Sequence, residues 1–249
     1  MLGGQSGLLR LVVGLIIVVA LVGAGYYLIT TTEWEGAAGS LEESWPLAEV
    51  EEGVIRLQLG VGDLVLEPLE DSNSFAQIRL EGPEEVVFRR DFDRSGDRAT
   101  LEISGPEWDS PWPFRTGNDI RWYIDLTDQI QLELDIETGV GRSDLDLRTL
   151  QAEDIELSTG VGEVEVTLPA RVERGEVRIS AGVGRITVII PEGVAARIEA
   201  EAGLGNISVD ERAFPKTDGS YRSQNYQDAR YQLEISVSGG IGQIEIRSD

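Results

Sequence analysis

A short Gly-x-Gly motif recurs along this chain, and its spacing constrains the fold more than any other feature. It occurs as Gly60-Val61-Gly62, Gly139-Val140-Gly141, Gly160-Val161-Gly162, Gly182-Val183-Gly184, Gly203-Leu204-Gly205 and Gly240-Ile241-Gly242. The four middle copies start 21, 22 and 21 residues apart. The last step is 37, one period plus a polar insertion between Asp210 and Arg230, and the first is 79, close to four periods. A fixed period of this length is the mark of stacked units, each of which buries its apolar face only against a neighbour.

Aligning the copies on their first glycine shows what each unit is. At five and three positions before it, and one, four and six after it, 29 of 30 residues are apolar, Ser143 being the exception. At four and two before, and three and five after, 23 of 24 are polar, the exception being Val65. Strict alternation predicts one strand before the motif and one after it, each with one buried face. The parity changes between the two, and the second glycine supplies the bulge or corner that lets both strands still face inward. All twelve motif glycines are therefore read as structural turn positions. The fold class expected is all-β, a β-solenoid with single-stranded coils of about 21 residues that stack in sequence order. Strand Phe75–Leu80 and a hairpin turning at Arg94-Ser95-Gly96-Asp97 form the N-terminal part. The C-terminal end stops three residues after Ile246, leaving an edge that is bare or covered by the 210–230 insertion.

In sequence-order stacking, Arg142, Glu163 and Arg185 form one outward column, and Glu156, Arg178 and Glu199 a second. Alternating signs on neighbouring rungs favour one register, at about 0.2–1 kcal/mol per exposed pair. Asp144 and Glu165 fall side by side with like sign, Asp146 close by, and these three are the weak cation candidates. A carboxylate pair is also the equipment of a glycosidase, but no sugar-stacking platform lies beside it in the sequence. No carboxylate recurs at a fixed position in the repeats, which argues against a calcium ladder. Nor do the glycine motifs match a phosphate cradle: none reads Gly-x-Gly-x-x-Gly, and no helix pattern follows.

Composition narrows the chemistry further. The 249 residues contain no Cys and no His, and Lys216 is the one lysine. This excludes disulfides, thiol nucleophiles, Cys/His zinc sites and an imidazole base. A net charge of -24 argues against nucleic acid as a partner. No cofactor is called for, and no catalytic or metal site is assigned.

The N-terminus points to a membrane. Residues 11–32 are uncharged and dominated by Leu, Val, Ile and Gly, long enough to span a hydrocarbon core of ~30 Å. Arg10 precedes the stretch, while Glu33 and Glu35 follow it. The positive-inside bias then puts residues 1–10 in the cytoplasm, with 33–49 as a linker and 50–249 as the domain outside the cell membrane. A retained single-pass helix is expected; Val22-Gly23-Ala24 is the site a cleaved signal peptide would use instead.

Aromatic residues gather outside the repeats. The proline-broken stretch with Trp108, Trp112 and Phe114 is a loop that either caps the open end of the stack or meets a partner. The insertion carries Tyr221 and Tyr226, the other candidate partner surface.

The run from Trp122 to Pro169 also carries a family resemblance. It starts a strand on Trp122, closes one coil on Leu145-Asp146-Leu147 and the next on Val166-Thr167-Leu168-Pro169. Here the chain resembles the bacterial toast-rack domains, including the putative-adhesin group and the C-terminal domain of LiaF-type envelope-stress proteins. The likeness covers residues 50–249, although LiaF itself has several membrane spans. It implies an extracytoplasmic β-helix-like fold, a non-catalytic adhesion or interaction role at the cell envelope, an envelope protein or glycan as partner, and a link to stress response. The alternative is a carbohydrate-active or cation-dependent surface protein using the outward carboxylates.

Overall fold

Each repeat after the first becomes one long bent strand, because alternation on both sides of the motif keeps hydrogen bonding continuous through the bend, while the first copy breaks into two strands at Gly62. The structure is a computed structural model. It describes residues 38–249 except 70–72, 84–86, 108–119 and 218. The strands in chain order are β1 (Ala38–Pro46), β2 (Glu52–Val61), β3 (Asp63–Pro68), β4 (Ser74–Pro83), β5 (Val87–Ser95), β6 (Arg98–Glu107) and β7 (Arg121–Leu126). They continue as β8 (Gln131–Asp146), β9 (Gln151–Thr167), β10 (Arg174–Ile190), β11 (Ala195–Val209), β12 (Lys216–Thr217), β13 (Ser220–Arg222) and β14 (Gln232–Ser248). Among the described residues no helix is long and apolar enough to cross a membrane. The 11–32 span lies outside them.

The stack consists of parallel rungs in the order β8, β9, β10, β14, β11. Below β8 lies the rung made of β2 and β3, and below that the rung made of β6 and β7. The link 147–150 between β8 and β9 has so few residues that it reaches ~14 Å at most. The two arms of each rung must therefore fold towards each other, and their inward faces meet in one core. Ile55, Leu57, Leu64 and Leu66 of the lowest Gly-x-Gly rung, like Ile155, Leu157, Val164 and Val166 of β9, are essentially fully buried. The N-terminal end is sealed by antiparallel strands: β5 on β6, β4 on β7, and β1 on β4. The hairpin turn expected at Arg94–Asp97 is present between β5 and β6, and the strand expected over Phe75–Leu80 is β4.

The rungs do not stack in sequence order. The last strand, β14, inserts between β10 and β11 and pairs in parallel with both. Likewise the first coil, β2–β3, lies between β6–β7 and β8. The first and last Gly-x-Gly coils thus have backbone partners on each side, and detaching β14 would break two ladders rather than one. The sequence could not reveal this, since every coil carries the same pattern and fits any slot. One consequence corrects the second charge column. Arg178 faces Glu156 across β10 and β9, but Glu199 faces Ser236 of β14. Arg178 pairs instead with Asp154 at 3.4 Å and with Glu176. The first column holds: Arg142 and Arg185 flank Glu163 at 2.6 and 3.4 Å.

The motif glycines do more than turn the chain. At the second glycine φ is positive on every rung, 155° at Gly162 for example, as the parity change requires. Both glycines are also compelled by the stacking. A Cβ on Gly162 would lie 1.8 Å from the carbonyl oxygen of Gly141 beneath it, and one on Gly160 2.6 Å from that of Gly139. The same contact repeats up both columns in the order 139, 160, 182, 240, 203 and 141, 162, 184, 242, 205. Each carbonyl therefore points up the stack into the space a side chain would fill. The residue between the glycines also departs from the expected placement. It was expected on the buried face, yet Val140 is 41% exposed, Leu204 62% exposed, and Val61, Val161, Val183 and Ile241 only half-buried. The bend turns that position outward, so an aliphatic ridge runs along the outside of the corner.

Candidate functional site

The outer face of the first arm is where small and long polar side chains alternate, and this makes a shallow trough. On β9, β10 and β14 the position two before the motif is Ser158, Ser180 and Ser238, three hydroxyls on consecutive rungs because β14 follows β10. Ser158 and Ser180 share a hydrogen bond of 2.9 Å. Longer side chains, Glu156, Arg178, Glu199 and Glu201, rise around them, and the concavity holds 380 Å³. Its polar groups are hydroxyls, carboxylates and one guanidinium, all able to hydrogen-bond to a solvated macromolecular surface. The sequence carried the serines in plain view. Their grouping depends on the stacking order, which it did not.

A second concavity of 530 Å³ lies where the insertion meets the starts of β9, β10 and β14, lined by Glu153, Asp154, Arg174, Glu176, Tyr226 and Glu234 among others. Burial, followed by the charge of Glu234, pushes the Tyr226 phenol up from its ordinary pKa, against the opposing pull of Arg197, Arg174 and Arg222. Tyr226 is therefore a neutral hydrogen-bonding group at the rim of an acidic recess. Tyr221, on β13, is half-buried against the core, with the Lys216 ammonium 5.0 Å from its ring centroid. The structure thus uses Tyr221 to seat the insertion and leaves Tyr226 facing the recess. Trp108, Trp112 and Phe114 lie outside the described residues.

The three acidic candidates are only partly brought together. Asp144 faces Glu165 in register, both exposed. Asp146 instead accepts a hydrogen bond from the backbone N–H of Arg148 at 3.0 Å, closing the turn after β8. No group of three or more acidic side chains able to hold a metal ion occurs among the described residues.

The last feature is the top of the stack. The insertion was a candidate cover for the C-terminal edge, but the exposed edge belongs to β11 rather than to the C-terminal strand. The hairpin strand β13 covers β11 only at Arg197 and Ile198. From 199 to 209 the upper side of β11 has no strand partner among the described residues.

A parallel stack of bent Gly-x-Gly rungs, sealed at its N-terminal end by antiparallel strands, is what the comparison with known proteins must match. Residues 35–189 match the family described as N-terminal domain of toast_rack, DUF2154. The chain belongs to the toast-rack family. Residues 139–246 of this toast-rack protein also match the C-terminal domain of the LiaF family, described as cell wall-active antibiotics response. Among solved structures, it is similar to a putative cell adhesion protein from Clostridium sporogenes. That match has 22% identity and a TM-score of 0.78, covering 85% of this chain and 100% of the other. At such identity the likeness establishes the fold. A putative adhesin from Bacteroides fragilis matches at 12% identity with a TM-score of 0.25, covering 84% of this chain and 97% of the other. No curated protein matches the sequence.

Proposed function

We propose that this toast-rack domain is a non-catalytic interaction module of the cell envelope, held outside the membrane by a single helix over residues 11–32 and binding an envelope protein or a glycan. The observation that carries the reading is the form of its outer surface. The rungs present two broad faces of fixed side-chain columns with shallow, open concavities, and such faces recognise large partners through area rather than by enclosing a small molecule. The family descriptions support it: one concerns a response to cell-wall-active antibiotics, and the neighbour at high structural similarity is named for cell adhesion. A chain with neither Cys nor His also lacks a thiol nucleophile and the commonest general base. The finer form of this proposal is a role in an envelope-stress complex, which the LiaF-like match supports.

The test is proximity cross-linking of the full-length protein in its native membrane, followed by identification of what is captured. Wild type is run beside a Trp108→Ala, Trp112→Ala double variant and a Glu199→Lys, Glu201→Lys double variant, each checked for folding by circular dichroism. Capture of one envelope component, reduced in a folded variant, is the expected result. Absence of any specific partner in wild type overturns the interaction reading.

A further inference from the structure

The two ends of the stack are treated differently. The lower end is closed along both arms by β5 and β4, with β1 outside β4. At the upper end 199–209 is left open. Columns that are fully buried on every lower rung become half-buried there: Ala200 continues the column of Ile179 and Val237, Ile207 that of Ile186 and Ile244, and Val209 that of Val188 and Ile246. Natural sheet edges are blunted by lysine, proline or bulges. The run 199–209 contains no lysine or proline and pairs with β14 without a register break.

The edge is also selective. On each rung below, the carbonyl oxygen of a motif glycine fills the place where the next rung's Cβ would go, at distances of 1.7–2.7 Å. The oxygens of Gly203 and Gly205 occupy the corresponding position at the top of the two columns. A parallel strand that continues the stack must therefore carry glycine opposite both, and an ordinary strand is rejected at the bend. Charge adds a second condition. Glu199 and Glu201 stand on the outer face of this edge, Glu199 paired at 3.3 Å with Arg197 of its own strand. A basic residue four or two positions before the incoming glycine pair meets them in register.

We propose that the open edge of β11, residues 199–209, is a docking site for a parallel β-strand of another polypeptide that carries Gly-x-Gly opposite Gly203–Gly205, apolar inward positions and a basic residue opposite Glu199 or Glu201. Such a strand is a toast-rack rung from a different protein. A second copy of this chain is the weaker occupant. Each Gly-x-Gly rung below β11 is already paired on both sides, and a net charge of -24 opposes self-association. Main-chain pairing then gives affinity, while the glycine pair and the charges give specificity. The proposal deepens the interaction-module reading by naming a surface and a partner chemistry, and rests on that reading for its biological meaning.

The probe is a fluorescent peptide with the sequence of residues 174–190, which places Arg178 four positions before Gly182 and thus opposite Glu199. Its control carries Gly182→Ala and Gly184→Ala. Full-length protein in detergent is titrated with each, by fluorescence anisotropy and by hydrogen exchange. We expect saturable binding of the parent peptide, at least tenfold weaker binding of the control, new amide protection confined to 199–209, and several-fold weakening by Glu199→Lys with Glu201→Lys in the protein. Equal binding of both peptides, no binding of the parent, or protection elsewhere overturns the inference. A native partner whose capture in the cross-linking experiment is unaffected by the same charge reversal also overturns it while leaving the interaction-module reading intact.

Discussion

Replacing Gly162 by alanine tests the glycine columns directly, because two separable penalties meet there. The new Cβ would lie 1.8 Å from the Gly141 carbonyl oxygen. An ordinary carbon–oxygen contact is about 3.3–3.6 Å, so β9 must lift from β8 by about 1.5 Å at the bend. A backbone hydrogen bond near 2.9 Å does not survive that displacement. Loss of about two ladder bonds costs roughly 1–3 kcal/mol. Holding alanine at φ 155° adds strain of about 1–3 kcal/mol. The sum is about 2–6 kcal/mol, or a fall in Tm of ~4–24 °C for a domain of this size. Gly193→Ala is the control: its φ is 87°, but nothing lies within 4 Å of the place its Cβ would take, so only strain of about 1–2 kcal/mol is felt. Urea titration of the full-length chain in mild detergent, followed by far-UV circular dichroism, compares the two. Equal losses, or a Gly162→Ala loss below about 1 kcal/mol, refute the idea that carbonyl approach rather than backbone conformation makes these glycines obligatory.

Three further outcomes follow from particular side chains. Burial, then the charge of Glu67 facing it from β3, holds the Asp125 carboxyl above the usual carboxylate range, with Arg79 pulling the other way. The folded chain therefore holds that proton more tightly than the unfolded chain, and Asp125 detracts from stability as pH rises from about 3.9 through its raised value. Asp125→Asn should match wild type in urea midpoint near pH 3 and exceed it at pH 7; a gap independent of pH counts against this. Trp122 is fully buried with its ring edge-on to Phe88 at 5.3 Å, and its indole nitrogen has no hydrogen-bond partner among the described residues. Trp122→Ala should cost about 3–5 kcal/mol and Trp122→Phe far less, and similar losses in urea titration would mean the N–H matters after all. A double-mutant cycle on Arg142 and Glu163 should return a coupling below about 1 kcal/mol, since both are exposed, and a larger value would mark a desolvated pair.

How far the sequence reaches is clear from individual columns. Alternation around each motif identified the strands, the inward faces and the position of the bend, because period-two patterning depends only on neighbours along the chain. Arg142, Glu163 and Arg185 fell into line for the same reason: β8, β9 and β10 are consecutive both in sequence and in the stack. Glu199 did not, since β14 enters from 22 residues beyond β11 and its pattern is indistinguishable from that of the strand it displaces. The residue between the glycines was misplaced because parity counting assigns it to a face, whereas the positive φ beside it rotates it outward. The first glycine's necessity was equally hidden, as it arises from the carbonyl of another rung rather than from its own backbone. Of the candidate surfaces, Tyr226 was visible as an aromatic in a polar insertion. The serine trough and the open edge of β11 exist only once the rungs are in their true order.

The serine trough and the open edge of β11 both follow from that order, and a chain without cysteine allows it to be tested against an empty background. Ser180 lies in register beside Ser238 of β14, and Ser238 beside Glu201 of β11. Adjacent strands are about 4.8 Å apart, within disulfide reach, and strands two rungs apart are about 9.6 Å apart, beyond it. Two double-cysteine variants are oxidised in the full-length protein and their disulfides mapped by mass spectrometry. Insertion of β14 between β10 and β11 requires rapid cross-linking of Ser180→Cys with Ser238→Cys and none of Ser180→Cys with Glu201→Cys; the reverse result would place β11 directly on β10 and refute the insertion.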